Sequence, residues 1–449
     1  MSALARYFLL GGYVIAGYDR TPTTLTNDLV KEGCHIHFND DMNLVPDEFK
    51  DKNLQQSTLV VVTPAIPENH SELYYFRENK YTIVKRSELL GLITRSSRGI
   101  AVAGTHGKTT VSTIIAHILK QSEYDCTAFL GGISKNYNSN FITGKGDLVV
   151  MEADEYDRSF LQLYPWMAII TSIDEDHLDI YQNYQNLEKA FIDFANQLNE
   201  GGSILVKKGL HIIEKLPKKA RVFTYALEAN ADFYATNIRR HNNYTLFNAI
   251  TPDTTIDDIH FGLPGLMNVE NAMAAIGIAS LLGVSDVSIR KALLHFTGVK
   301  RRFDIQIWTD EMVFIDDYAH HPEEIYRCLQ AVKEMFPGKM ITGIFQPHLF
   351  SRTRDFADEF ANSLKLLDKL ILLDIYPARE EPIVGITSEL ILGKVKLKNK
   401  MLCSKEEIIR VIEKNNIEVL ITMGAGDIDK LVAPIKETLL GKMENDNQV

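Results

Sequence analysis

Apolar positions along the chain fall into two rhythms. One is the short continuous run, as in Gly99-Ile100-Ala101-Val102-Ala103, Leu148-Val149-Val150-Met151, Met167-Ala168-Ile169-Ile170-Thr171, Val313-Phe314-Ile315, Met340 to Phe345, Leu370-Ile371-Leu372-Leu373 and Val419-Leu420-Ile421-Thr422. Such runs predict buried strands. The other rhythm is helical. Val111, Ile114, Ile115, Ile118 and Leu119 recur at i, i+3, i+4, i+7 and i+8, and Met1, Leu4, Ala5 and Phe8 share a face before Gly11-Gly12. Strands alternating with helices predict parallel sheets, hence the α/β class. Val14 to Asp19, Leu59-Val60-Val61-Val62 and Tyr81 to Val84 add strands near the start, the first two buried, and the polar stretch from Thr94 to Arg98 reads as a linker. A helix followed by a strand ending in Asp19 is the second half of a dinucleotide-type βαβ unit, whose first strand and glycine-rich turn are missing; the expectation is a chain that begins late, at an internal methionine. Three domains fit the length of 449 residues. The boundaries expected are 1–95, 96–299 and 300–449, the last opening on the basic cluster Lys300-Arg301-Arg302.

Between the run 99–103 and the helical pattern lies Gly104-Thr105-His106-Gly107-Lys108-Thr109-Thr110. A glycine-bearing turn joining a strand to a helix aims backbone N–H groups and the positive end of the helix at an anion. Lys108 suits a terminal phosphate, and the Thr109 hydroxyl suits Mg²⁺. Val102 takes the place of the ordinary P-loop's first glycine. A plain helix start with a solvated Lys108 is the weaker reading, because strand, turn, Lys-Thr and helix agree.

Other strand ends carry chemistry of their own. Glu152-Ala153-Asp154-Glu155 follows the run 147–151, where a carboxylate beside a phosphate loop holds nucleotide Mg²⁺. Ser172-Ile173-Asp174-Glu175-Asp176-His177 follows the run 167–171. Thr109, Glu152 and His177 are thus expected on one rim. Asp19 reads equally as a turn-capping carboxylate or as a ribose or base ligand. Asn268 has the makings of an N-cap, and Asn271, one turn on, of a base-edge contact. Asp316-Asp317-Tyr318-Ala319-His320-His321-Pro322 ends the run 313–315; its adjacent histidines point apart, which favours separate roles in a substrate pocket over a metal cluster. In Gln346-Pro347-His348-Leu349-Phe350-Ser351-Arg352-Thr353-Arg354, a histidine and two arginines at a helix start suit a carboxylate clamp. Gly424-Ala425-Gly426-Asp427 reads as a turn of close backbone approach. Gly441 to Val449 is polar and expected to fray.

Composition narrows the partners. A formal net charge of −11 argues against nucleic acid. No apolar run is long enough to span a membrane, and Phe8 to Gly17 fails as a signal-peptide core because Asp19 follows at once. Cys34, Cys126, Cys328 and Cys403 form no CxxC pair, which points to reduced thiols in the cytoplasm rather than zinc or disulfides. Phosphate loop, strand-end carboxylate and a separate domain bearing a clamp point to ATP being consumed to phosphorylate a carboxylate, which an amine then captures, with Lys108, Arg302 and Mg²⁺ neutralising the transferred phosphoryl.

The motifs GTHGKTT at 104–110, EADEYDRSF at 152–160, ITSIDEDHLD at 170–179, MNVENAMAA at 267–275, RRFD at 301–304, DDYAHHP at 316–322, QPHLFSRTRDF at 346–356, YPAREEPIVG at 376–385 and MGAGDI at 423–428 stand in the order found in the Mur ligases of bacterial cell-wall synthesis. The chain resembles that family over nearly its whole length. The resemblance implies an N-terminal Rossmann-like UDP-sugar domain lacking its first strand, a central P-loop-type ATPase domain on a parallel sheet, and a C-terminal Rossmann-like amino-acid domain. It implies joining of L-alanine to the carboxylate of UDP-N-acetylmuramate through an acyl phosphate, by a monomer or weak homodimer. The alternatives are the sister ligase that attaches a tripeptide to the same sugar, and a nucleotide-dependent binding module without chemistry. By resemblance, Lys108 meets the terminal phosphates, Thr109 and Glu152 one Mg²⁺, and His177 a second. Asn271 meets adenine, Arg302 the γ-phosphate and Asp317 the ATP ribose, while Tyr318, His320, His348 and Arg352 hold L-alanine. Phe191 stands where some sister ligases carry a carbamylated lysine, so none is expected.

Overall fold

A computed structural model describes residues 1–174, 178–228, 230–241, 244–378 and 380–446. The chain forms two compact units. One comprises Met1–Arg239, Thr245–Gly262 and Val269–Phe296; the other comprises Arg240–Tyr244, Leu263–Asn268 and Thr297–Val449.

The first unit is organised on a ten-stranded sheet. Its centre is the strand Arg98–Ala103, flanked in parallel by Leu148–Glu152 and Met167–Ile170. Ile100 to Ala103 are wholly buried, which is why the sequence there is apolar at every position rather than at alternate ones. The sheet is mixed at its margins: Thr127–Ser134 pairs antiparallel with Ser139–Ile142, and Thr245–Ile250 with Thr255–Phe261. The helix Lys108–Lys120 buries the five apolar residues expected, and Ser112, Thr113 and His117 as well. Burial exceeds one face because the helix packs on the sheet on one side and on the helix Asp286–His295 on the other. His117 meets the Ala292 carbonyl at 3.1 Å, and burial takes its imidazole down to about 4.

The N-terminal stretch departs from expectation. Its strands form two separate parallel pairs, Ala16–Tyr18 with His35–His37 and Leu59–Val62 with Thr82–Lys85. The run 14–19 yields a strand of three half-buried residues, Val14 being exposed, and Leu59 is exposed too. A strand with a single partner has no neighbour to bury its other edge, so an apolar run overstated burial here. The expected linker is also shorter, because the helix Arg86–Arg95 takes in Thr94 and the strand begins at Arg98, leaving Ser96 and Ser97. Phe191 is wholly buried, edge-on to Phe160 at 5.2 Å.

The second unit holds a six-stranded sheet in the order Asp304–Trp308, Val313–Asp317, Val419–Met423, Ile341–Phe345, Lys369–Leu372 and Asn399–Leu402. Only the first strand is antiparallel to its neighbour. Successive residues serve opposite cores: Ile315, Phe345 and Ile421 pack on one face, Phe314, Ile344 and Leu420 on the other. The last helix, Asp429–Asp446, takes in the first six residues of the segment expected to fray, and Ile435 and Leu439 bury its inner side ahead of them.

Candidate active site

In the first unit the loop from Gly104 to Gly107 is fastened from below. The Thr105 hydroxyl lies 2.8 Å from that of Ser172, which accepts the His106 N–H at 2.9 Å. His106 Nε2 lies 3.4 Å from Asp174. Gly104 has φ +133°, and a Cβ there would fall 2.1 Å from the Thr171 hydroxyl, so this position admits glycine alone. Gly107 has φ +83° and lies so close to Asn271 that a Cβ would meet its Oδ1 at 2.9 Å. Asn271 therefore stands against the loop. The following helix has no side-chain cap, so its leading N–H groups have no acceptor within the chain's helix or cap. An uncapped helix start with two glycines that leave no room for side chains fits a phosphate chain.

Lys108 and Thr109 already have partners. The Lys108 ammonium donates to both Glu155 oxygens at 2.8 Å and to the Gly104 carbonyl at 2.7 Å. Burial alone would lower its pKa; the facing carboxylates of Glu155, Glu152 and Asp154 outweigh that and raise it. Burial pushes the fully buried Glu155 carboxyl up against the pull of Lys108, while the raised pKa of Lys108 keeps the lysine charged. Thr109 Oγ1 donates to Glu152 Oε2 at 2.7 Å. These adjacent oxygens, on helix start and strand tip, match the hard-oxygen ligand set of Mg²⁺. Glu152 is seated against Gly131, where a Cβ would fall 2.0 Å from the same oxygen. Thr110 occupies the next position of the helix, half-buried. His177, expected on this rim, lies outside the described residues.

Of two further expectations, the turn-capping contact of Asp19 is present and the N-cap at Asn268 is not. Asp19 is exposed, and its Oδ1 accepts the Thr21 N–H at 3.2 Å, the turn-capping arrangement. Asn268 is not an N-cap: the helix begins at Leu266, and the Asn268 side chain donates back to the Pro264 carbonyl at 2.7 Å.

The second unit gathers the remaining candidates at strand ends. Asp317 is buried and accepts the N–H groups of Phe303 at 2.6 Å and Ala319 at 2.7 Å; burial raises its pKa against the pull of Arg302. The Arg302 and Arg301 guanidinium groups lie 4.9 and 5.1 Å from the Tyr318 ring centre. His320 contacts Glu324 at 3.1 Å and faces His348 at 5.9 Å between ring centres. Its neighbour His321 turns instead to Phe356 at 5.0 Å, so the two histidines do point apart. His348 is stacked on Tyr376 at 5.7 Å. Burial, then His320 and Arg352, takes its imidazole down to about 4.

His348 Nδ1 and Arg352 Nη1 are buried and have no hydrogen-bond partner. A donor left so is costly, about 1–3 kcal/mol or more for a charged group, unless a ligand supplies the acceptor. The clamp keeps one of its two expected arginines. Arg354, two residues further along the helix Phe350–Asp355, is turned to solvent and paired with Asp355 at 2.7 Å. Gln346 joins the strand end to the glycine turn, donating to Asp427 at 2.9 Å and accepting the Ile428 N–H at 2.9 Å. A Cβ on Gly426 would meet Gln346 Oε1 at 2.5 Å, which is the close approach the sequence predicts.

Glu155, Gly131 and Tyr376 escaped the residue reading as site residues. The acidic run 152–155 held the signal for Glu155, since a buried lysine at a phosphate loop calls for a carboxylate. Nothing local marked Gly131.

Fold and site together define a nucleotide-using α/β protein whose second unit holds a buried arginine and histidine atom without hydrogen-bond partners. Its sequence matches the pattern of the Mur ligase family, catalytic domain, over residues 1–98, of the Mur ligase middle domain over 102–279, and of the Mur ligase, glutamate ligase domain, over 301–426. The chain belongs to the Mur ligase family. A UDP-N-acetylmuramate–L-alanine ligase of Parabacteroides distasonis is 50% identical over 98% of this chain and 95% of its own length. The protein of that name in Flavobacterium psychrophilum is 48% identical over 98% and 95%. The crystal structure of a UDP-N-acetylmuramate–alanine ligase from Thermotoga maritima, 26% identical, superposes with a TM-score of 0.80 over 99% of this chain and 97% of its own. A murein peptide ligase from Psychrobacter arcticus shares the fold at 23% identity and TM-score 0.71, over 98% and 96%.

Proposed function

We propose that this chain is an ATP-dependent ligase that joins L-alanine to the carboxylate of UDP-N-acetylmuramate, releasing ADP and phosphate, in the cytoplasmic synthesis of peptidoglycan precursors. The observation that carries this reading is the partnerless pair Arg352 Nη1 and His348 Nδ1, in a chain about half identical to ligases of that name. No helix among the described residues is long and apolar enough to cross a membrane. The enzyme acts as a monomer or weak homodimer, with its domains divided at 95/96 and 299/300.

The chemistry follows from the groups. A muramate carboxylate oxygen bonds to the γ-phosphorus as the bond to the bridging oxygen of ADP breaks. The amine nitrogen of L-alanine then bonds to the activated carbonyl carbon and phosphate leaves, carrying one former carboxyl oxygen; the amine's spare proton goes to solvent. Lys108, exchanging part of its hold on Glu155, and Arg302 neutralise the transferred phosphoryl. Thr109 and Glu152 would hold Mg²⁺, which supplies further charge neutralisation on the phosphates. A second Mg²⁺ is assigned to His177. Gly104, Thr105, His106, Gly107 and Thr110 wrap the phosphate chain, Asn271 takes adenine, and Asp317, whose oxygens retain acceptor capacity, takes the ATP ribose. Asp19 serves the UDP moiety. Arg352 and His348 take the alanine carboxylate, and Tyr318 and His320 complete that pocket.

Incubation with ATP, UDP-N-acetylmuramate and either L-alanine or the tripeptide L-alanyl-γ-D-glutamyl-meso-diaminopimelate tests this. Phosphate release with L-alanine alone is expected. Release with the tripeptide alone identifies the sister ligase, and release with neither leaves a binding module.

A further inference from the structure

A second cluster of ligand-type side chains lies in the N-terminal region, apart from the phosphate loop and the clamp. We propose that Asp40, His70 and Glu72, with His37 beside them, form a binding site for a divalent transition metal of the Zn²⁺ class.

The geometry is that of such a site. One ligand atom from each of Asp40, His70 and Glu72 lies within 4.8 Å of the others. His70 Nδ1 is 3.3 Å from Asp40 Oδ1, and His37 Nε2 is 3.5 Å from Glu72 Oε1. Bonds of about 2.0–2.1 Å to nitrogen or oxygen in a tetrahedron place neighbouring ligand atoms about 3.3–3.4 Å apart, so these spacings need little adjustment.

The polar atoms are short of partners. His70 and Glu72 are 5% and 8% exposed, yet His70 Nε2 and Glu72 Oε1 make no hydrogen bond. The buried, unsatisfied Glu72 oxygen calls for an account, and a cation held between it and the Asp40–His70 pair supplies one. The surroundings orient the ligands as they do around metals. His37 Nδ1 contacts the Asn39 carbonyl at 3.0 Å; a carbonyl only accepts, so that nitrogen donates and Nε2 is the atom turned towards Glu72. The Ser71 N–H donates to both Asp40 oxygens at 3.0 Å, and the Tyr18 ring lies against His70 at 4.4 Å.

The donor set fixes the metal class. Imidazole with carboxylate suits Zn²⁺ and Co²⁺, whereas Mg²⁺ prefers oxygen ligands in an octahedron. The site is thus chemically distinct from the Thr109–Glu152 pair.

The test uses the full chain, stripped with chelator and held in excess Mg²⁺ without nucleotide. One equivalent of Co²⁺ should bind with a visible d–d band, be displaced by Zn²⁺ and not by Mg²⁺, and Zn²⁺ should raise the unfolding temperature. Glu72→Gln and His70→Gln should each abolish the band while circular dichroism stays that of the parent. If either variant fails to fold, His37→Gln, which changes the least buried ring, should weaken Co²⁺ binding at least tenfold. No stoichiometric binding by the parent overturns the proposal, as does a band of full strength in the folded variants.

Discussion

The phosphate loop and the carboxylate clamp solve the problem of an idle charge in opposite ways. At the loop, the cation proposed for phosphate is occupied: Lys108 grips Glu155 and the Gly104 carbonyl, and Thr109 grips Glu152. At the clamp, Arg352 Nη1 and His348 Nδ1 are buried with no partner. The loop is therefore preorganised by the protein's own contacts, and nucleotide binding exchanges one set of partners for another. On the proposed reading, the clamp is completed by its ligand. Removing a loop residue should damage both fold and chemistry, while removing a clamp residue should damage recognition and spare the fold.

Lys108→Met breaks the comparison most severely. It should lower kcat by about 10²–10³ or more, the scale of losing a preorganised charge on the reacting group. It should also destabilise the first unit, because Glu155 is left buried and unpaired, at about 3–5 kcal/mol when one partner of a buried pair is removed. Denaturant melts should show stability recovered, and activity not, in Lys108→Met/Glu155→Gln. Arg352→Ala should raise the KM for L-alanine about 10–100-fold, the worth of a charge-assisted hydrogen bond, with little change in the KM for ATP or in the melting midpoint; Arg354→Ala should do neither. Gly131→Ala sharpens the picture at the loop. Its methyl displaces the Glu152 carboxylate, so titration of activity should require more Mg²⁺ while the melt stays close to that of the parent. The smallest effect concerns His348. Unfolded, an imidazole takes up its proton near pH 6.5; folded, this one does so only at about 4. The chain should lose a slice of stability as pH falls from about 6.5 to about 4. His348→Gln should lessen the slope in that range, leaving the share that His117 contributes.

The loop was legible because its parts are contiguous. Strand, glycines, lysine and helix lie within 99–120, and the local sequence alone dictates the turn. Glu152 was legible from its place at a strand tip. Which carboxylate of the run 152–155 pairs with Lys108 was not, since that depends on how two strand ends meet across the sheet. Nor was the difference between Arg352 and Arg354, which is the phase of a short helix. The N-terminal strands were overstated because apolarity records a preference for burial without revealing how many neighbours a strand will have. Residues 441–446 read as fraying because they are polar; the helix they end is anchored further back, by Ile435 and Leu439. The clamp was visible as residue types, and its partnerless atoms only in three dimensions.

The account rests on the transfer of phosphate to a carboxylate before an amine displaces it. Turnover of UDP-N-acetylmuramate labelled with ¹⁸O in its carboxylate, with ATP and L-alanine, tests this directly. One labelled oxygen should appear in each inorganic phosphate released. Unlabelled phosphate accompanying confirmed formation of the alanyl product would contradict it.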